Sequence, residues 1–348
     1  MSEPRLKLAI ATPLPADAEA VLRAEPRIEL LFEPSLLPTQ RFPSDHYGEA
    51  DFKRTPEQEA AFDALLAQAD AVYGIPDEDP AQVARVCTPS VRWVSTTAAG
   101  GGSLIGAAGL DRATLDRVAF TTSAGVHARP LAEFALLGVL AGFQRVPELK
   151  AQQAHHEWPD RGDFPRGLVG ARILVLGLGH IGREVARLFS SLGAHVTGTS
   201  RHATSDPHAH AVVHPDRLEE AAAQADALVV TLPGTELTRH LVSREVIAAL
   251  PAGATVVNVG RGTVIDEAAL TEALELRHVA FAALDVFETE PLPSKSRLWD
   301  MPNVLVSPHA ATMNRDEDAL IAQLLVANAR RLLDGEPLKN RIDTHEFY

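Results

Sequence analysis

Cysteine is nearly absent from this 348-residue chain. Cys87 is the only one, so no internal disulfide can form and a reducing compartment is expected. Long apolar runs are missing too: the longest, residues 130–143, is broken by Glu133 and is too short to cross a bilayer. Residues 1–15 hold only a short apolar run before prolines, which does not make a signal peptide. A cytoplasmic protein is therefore expected. Positive charge is in deficit, with 32 Lys and Arg against 46 Asp and Glu and a net charge of −14. Nucleic acid and anionic membranes are poor partners for such a surface. Any anionic ligand must be held by local positive groups. There is no short-period repeat and no low-complexity segment, and no metal is expected. A content of 46% hydrophobic and 22% charged residues suits two globular domains, each with its own core.

What is present alternates between strand and helix. A first set of strands is predicted at 7–11, 29–32, 71–75, 91–96 and 118–121, with a helix at 56–68. The proline-containing segment 33–54 has no clear period and is expected to be a mobile flap. A long helix at 130–145 and a polar loop at 155–166 lead into a second set. Its strands are predicted at 173–176, 195–199, 227–231, 255–259, 280–285 and 304–307, and a closing helix spans 315–334. Short apolar runs separated by helices imply parallel sheets covered on both faces. The second set has the count and spacing of a doubly wound dinucleotide domain.

Residues 172–201 carry the strongest local signal. An apolar strand runs into Gly177-Leu178-Gly179-His180-Ile181-Gly182, then an amphipathic helix, then a second strand ending near Thr199. In that order, Gly177 permits a tight turn, Gly179 lets backbone N–H groups approach a pyrophosphate, and Gly182 lets helix pack on strand. The pyrophosphate then sits at the positive end of the helix. An NAD-preferring site usually places an Asp or Glu after the second strand. Here Ser200-Arg201 stands there, and no carboxylate occurs between Glu184 and Asp206. An Arg–phosphate bond contributes about 1.5–3 kcal/mol, so NADP is the preferred cofactor and NAD the second choice. The alternative is that Arg201 is a solvated cation or stacks on adenine.

Three further residues fall just past predicted strands of the same domain: Arg261, Glu290 and His309. Open α/β sheets bind ligands outside the carboxyl ends of their strands, where three loops can converge. Arg offers a planar fork to a carboxylate, His exchanges a proton near neutral pH, and a bonded Glu stabilises the imidazolium. Together they suit reduction of a carbonyl by hydride. Singly they are weak, since Arg261 could cap a turn or pair with Asp266, and His309 could be a structural histidine.

The ordered segments GLGHIGREVA, TLPGTELTRHLV, VVNVGRGTVIDEAAL, LDVFETEPLP and LWDMPNVLVSPHAA resemble the D-isomer-specific 2-hydroxyacid dehydrogenase family. The resemblance implies a Rossmann-type doubly wound nucleotide domain, residues 129–311, inserted into a smaller flavodoxin-like α/β substrate domain, residues 1–128 and 312–348. It implies that Arg261 binds the substrate carboxylate and polarises the keto oxygen, with His309 as acid and base and Glu290 as its partner. It places further substrate contacts at Ala99, Gly100 and Gly101. Nucleotide contacts fall at Gly177, Gly179, His180, Ile181, Gly182, Ser200, Arg201, Leu232, Pro233, Thr238, Val259, Gly260, Asp285 and Ala311. It also implies a homodimer and a small 2-keto or 2-hydroxy acid substrate. Ser200-Arg201 resembles the branch that reduces glyoxylate and hydroxypyruvate with NADPH, and Glu290 argues against formate. Two features depart from the family. The substrate loop reads Gly100-Gly101-Gly102-Ser103 where many members have an Asp, and His127 stands where several carry Asn or Ser. A redox-sensing regulatory protein of the same fold and a phosphite dehydrogenase are the alternatives. Residues facing the substrate's side chain are expected in 96–103 and 41–54 and near Trp158 and Trp299.

Overall fold

The computed structural model describes residues 4–49, 51–159, 165–345 and 347. The chain divides into two compact units, residues 1–127 with 313–348, and residues 128–312.

In the first unit, β1 (Leu6–Ile10), β2 (Ile28–Leu31), β3 (Ala71–Tyr73), β4 (Trp93–Ser95) and β5 (Ala119–Thr121) form a parallel sheet. Its order is β2-β1-β3-β4-β5, the flavodoxin-like winding. Leu8, Val72, Val94 and Phe120 are wholly buried, which is why these strands read as unbroken apolar runs. The helix Glu317–Leu333 turns Ile321, Ala322, Leu325 and Ala329 into this core, one face at helical spacing. Cys87 is buried here, and burial pushes its thiol up to about 11, so it is a packing residue and not a nucleophile.

The described residues of segment 33–54, where a mobile flap is expected, are tied to one another and to the closing helix of their unit. Asp45, 2% exposed, accepts hydrogen bonds from the Arg41 guanidinium at 2.7 and 2.9 Å and from the backbone N–H groups of Arg41, Tyr47 and Gly48. The Arg41 hydrogen bonds outweigh burial and hold the Asp45 carboxyl well below the usual carboxylate range. Ser44 donates its N–H to Asp318 at 3.0 Å, and His46 Nε2 lies 3.3 Å from Glu317 Oε1. His127 Nε2 reaches the same Glu317 oxygen at 2.9 Å, so in this structure it is a buried partner of an acid from the closing helix. The partners lie about 190 to 280 positions apart in the chain, beyond any local pattern.

Burial alone would raise the Glu317 carboxyl, but hydrogen bonds from His127 and His46 win and lower it to about 2. A folded-state value below the unfolded one gives stability that is complete above the ordinary carboxylate range. It is lost as pH falls from about 4.5 towards 2. Glu317→Gln is expected to cost on the order of 2 kcal/mol at neutral pH and to flatten melting temperature against pH across that window. Parallel melting curves for the two proteins would remove the assignment.

In the second unit, β6 (Arg172–Leu176), β7 (His195–Thr199), β8 (Ala211–Val213), β9 (Ala227–Val230), β10 (Ala254–Asn258), β11 (Val279–Leu284) and β12 (Val304–Val306) are all parallel. The order β12-β11-β10-β9-β6-β7-β8 is Rossmann-type, with winding reversing between β6 and β9. Both expected sheet architectures are therefore present. The helix His180–Ser191 buries Gly182, Val185, Ala186 and Phe189 on one face. The helix Ala128–Phe143 lies so close to the sheet that a Cβ on Gly138 would stand 2.6 Å from the Ala283 Cβ. Among the elements not foreseen are β8 and the helix Val146–His155. The first is a three-residue edge strand, and the second buries no residue, so neither leaves an apolar period. The polar loop expected at 155–166 lies partly outside the described residues. Among the described residues, no helix is long and apolar enough to cross a membrane.

Candidate active site

The glycine turn after β6 is seated on both neighbouring strands. Gly177 has φ +103°, donates its N–H to Thr199 Oγ1 at 2.9 Å, and receives the Thr231 hydroxyl on its carbonyl at 2.7 Å. Leu178 donates its N–H to the Thr199 carbonyl at 3.0 Å. A Cβ on Gly182 would lie 1.8 Å from the Gly177 oxygen, so only glycine lets the helix begin there. A Cβ on Gly179 would meet nothing within 4 Å, which leaves open space where the turn faces outward. The helix opens at His180 and Ile181 with no acidic residue in its first turn and no side-chain cap. Its first N–H groups lack intrahelical acceptors and favour an anion.

Ser200 and Arg201 follow β7, beside that turn. The Ser200 hydroxyl accepts the N–H groups of His202 and Ala203 at 3.2 and 2.9 Å, which shapes the loop. Arg201 is exposed and has no ion-pair or hydrogen-bond partner among the described residues. Asp206, the first acid after the strand, faces Arg183 at 3.3 Å. The open turn, the acid-free helix start and the uncommitted guanidinium fit a phosphorylated dinucleotide.

The loops after β9 and β10 are packed back to back. A Cβ on Gly260 would come 2.4 Å from the Leu232 carbonyl oxygen, and the Thr238 hydroxyl donates to the Pro233 carbonyl at 2.7 Å. Asn258 closes the turn that presents Arg261. Its Oδ1 accepts the Gly260 N–H and its Nδ2 donates to the Arg261 carbonyl, both at 3.0 Å, with Val259 between. The exposed Arg261 guanidinium spends one N–H on the Gly260 carbonyl at 2.8 Å. Gly262 is obligatory for contact with the next loop, because a Cβ there would fall 1.8 Å from the Phe287 carbonyl carbon.

His309 sits past β12 in the left-handed region, φ +54°, with its N–H bonded to the Asp285 carbonyl at 2.9 Å. Its Nδ1 is 2.8 Å from Glu290 Oε2, and Glu290 Oε1 accepts the Phe287 N–H at 3.0 Å. Burial pushes the Glu290 carboxyl up. Hydrogen bonds from His309 and Phe287 and the charges of His309 and Arg261 more than offset it, so it sits below its ordinary value. His309 and Glu290 are thus paired past the strand ends, and the Arg261 charge is near enough to act on the Glu290 carboxyl.

Asp285, expected as a nucleotide contact, is 1% exposed. Its Oδ1 accepts the Ser307 hydroxyl at 2.6 Å and the N–H groups of Ala310 and Ala311 at 2.9 Å, which fastens the His309 loop to β11. A second acid–histidine group went unseen in the sequence. His240 Nε2 lies 2.5 Å from Glu288 Oε1, and the Glu288 N–H donates to Glu267 at 3.0 Å. It anchors the loop that carries Glu290. The only signal for it was the run of acids around Phe287. Ala99, Gly100 and Gly101 lie in the first unit, after β4. Of the two expected side-chain contacts, Trp158 is almost fully exposed and Trp299 donates to the Pro293 carbonyl at 3.0 Å.

A Rossmann-type sheet with an acid–base pair on its strand ends is the framework of a nicotinamide-dependent oxidoreductase. Residues 136–311 match the family model for the D-isomer specific 2-hydroxyacid dehydrogenase, NAD binding domain. The glyoxylate/hydroxypyruvate reductase B of Pectobacterium atrosepticum is 31% identical over 326 residues, covering 89% of this chain and 98% of that protein. The (S)-sulfolactate dehydrogenase of Chromohalobacter salexigens is 31% identical over 235 residues, 65% of this chain and 75% of that one. A D-isomer specific 2-hydroxyacid dehydrogenase from Xanthobacter autotrophicus, crystallised with NADPH and MES, is 31% identical. Its match covers 99% of this chain and 100% of that chain, with a TM-score of 0.73. The chain belongs to the D-isomer specific 2-hydroxyacid dehydrogenase family, and it is an NAD(P)-dependent oxidoreductase acting on CH–OH groups.

Proposed function

We propose that this protein is an NADPH-preferring 2-ketoacid reductase whose substrates are small, such as glyoxylate and hydroxypyruvate. The observation that carries it is the His309–Glu290 hydrogen bond, 2.8 Å long, in the domain that holds the open glycine turn. The nucleotide, when bound, supplies a hydride to the keto carbon. Arg261 binds the substrate carboxylate through N–H groups its own loop leaves free and offsets charge growing on the keto oxygen. His309 gives that oxygen a proton, and Glu290 keeps the imidazole oriented and stabilises its charged form. The backbone of Ala99, Gly100 and Gly101 completes the carboxylate seat. Gly177, Gly179, Gly182 and the helix start at His180 and Ile181 receive the pyrophosphate. Leu232, Pro233, Thr238, Val259, Gly260, Asp285 and Ala311 line the rest of the nucleotide site.

A steady-state panel of glyoxylate, hydroxypyruvate, pyruvate, phenylpyruvate and phosphite, each with both nucleotides, tests the proposal. No turnover of any 2-keto acid would end it, and oxidation of phosphite alone would replace it. Ser200 and Arg201 are assigned to the 2′-phosphate. Arg201→Asp is expected to lower the NADPH-to-NADH ratio of kcat/KM by roughly 10- to 100-fold, the worth of one charge-assisted bond. An unchanged ratio would place the phosphate elsewhere. A homodimer in the cytoplasm belongs to the same proposal. Exposed Leu137 and Leu149, on successive helices of the second unit, support the pairing, and light scattering at the monomer mass would remove it.

A further inference from the structure

Glu78 stands just past β3, in a turn where two successive non-glycine residues are left-handed, Asp77 at φ +56° and Glu78 at φ +47°. Side chains rarely adopt that conformation and persist in it only where their surroundings hold them. Here the hold is visible. Glu78 Oε2 accepts the Tyr47 hydroxyl at 2.8 Å, and Oε1 accepts the hydroxyl of Thr97. Thr97 is 3% exposed and directly precedes Ala98 and Ala99. Glu78, Thr96, Ala98, Gly100 and Gly101 line one cavity of about 310 Å³, and among the described residues Glu78 is the only charged side chain that lines it. Burial, together with the hydrogen bond and charge of Glu78, raises the Tyr47 phenol to about 12, so Tyr47 stays a neutral donor.

Among the described residues, no cation lines that cavity beside Glu78. Lys53, Arg54 and Arg85 line the neighbouring one, together with Glu49, Glu59 and Asp77. Arg85 is committed to Glu59 and Asp63 at 2.5 and 2.7 Å, and Arg54 donates to the Leu36 carbonyl at 2.6 Å. An acid beside the glycine loop treats two kinds of substituent differently. A neutral hydroxyl can donate to it, whereas a second carboxylate, sulfonate or phosphate is repelled with no guanidinium to offset the cost.

We propose that Glu78 sets the substrate class, so that the keto acid carries hydrogen or a neutral hydroxyl-bearing group and a second anion is rejected. This inference depends on the proposed seating of the carboxylate at Ala99, Gly100 and Gly101. The repulsion acts on binding, so it belongs mainly to KM.

The test compares kcat/KM for hydroxypyruvate, oxaloacetate and sulfopyruvate in the natural protein and in Glu78→Gln, at low and high salt, with glyoxylate run on the natural protein. Hydroxypyruvate is expected to exceed both dianions by about 100-fold, and Glu78→Gln to narrow that ratio about 10-fold through KM of the dianions. Salt is expected to narrow the ratio in the natural protein and not in the variant, because only the former has a charge to screen. A ratio that ignores both salt and the substitution overturns the role of Glu78, as does a natural preference for a dianion. The salt series needs no variant, so it decides the matter even if Glu78→Gln fails to fold. Glyoxylate has no substituent to meet Glu78. Failure to reduce it or any other 2-keto acid overturns the carboxylate seat, and this inference with it. Reduction of glyoxylate with a flat ratio overturns Glu78 alone.

Discussion

His309→Ala is expected to turn over 2-keto acids about 100- to 10,000-fold more slowly than the natural chain, with NADPH affinity nearly unchanged. The size follows from what the ring is tied to. A carboxylate can only accept, so the 2.8 Å contact to Glu290 fixes the hydrogen on Nδ1. That leaves Nε2 as the nitrogen that gains and loses a proton, on the side away from Glu290. The backbone is set independently of the side chain, by the His309 N–H on the Asp285 carbonyl and by Asp285 Oδ1 on Ala310 and Ala311. Removing the imidazole therefore deletes the proposed proton donor and leaves its loop in place. Glu290→Gln keeps the shape and removes the charge that steadies the imidazolium, so it should fall between the two. Fluorescence titration with NADPH and single-turnover oxidation separate binding from chemistry. A His309→Ala protein with natural single-turnover rates would move the proton donor to another group.

The parts of this site written in short stretches of chain were legible, and the parts assembled across it were not. β6, the glycines and the helix to Ser191 follow one another within twenty residues, so spacing alone predicts the turn. Parallel strands buried on both faces announce themselves as apolar runs, as β9 and β10 do. Asp285 could be picked out as a strand-end acid. Its hydrogen bonds to Ser307 and Ala311, more than twenty residues on, could not. Greater separations hid His240 from Glu288 and His46 from Glu317. Segment 33–54 looked featureless because its contacts come from Asp45 and from acids of the distant closing helix rather than from a repeating period. Glu78 was missed for a related reason. A single acid after a short strand has no pattern, and only its contacts with Tyr47 and Thr97 give it meaning.

Arg261→Gln is expected to lower kcat/KM by about 100- to 1,000-fold, the loss seen when one donor to a developing oxyanion is removed. The turn that carries the side chain does not depend on it. Asn258 holds the Gly260 N–H and the Arg261 carbonyl, and Gly262 is wedged against Phe287, so positions 260–262 are held through their main-chain atoms. The guanidinium has five N–H groups and gives one to the Gly260 carbonyl, so most of its fork is free for a ligand. If the fork seats the substrate carboxylate in the ground state, KM rises. If it also meets charge that grows on the keto oxygen, kcat falls with it. Arg261→Lys separates the two, since it retains the charge and loses the planar pair of donors. It should recover part of the lost kcat and little of the KM. The proposed role fails if Arg261→Gln leaves both constants near those of the natural protein, or if Arg261→Lys restores KM in full, because the paired geometry would then contribute nothing.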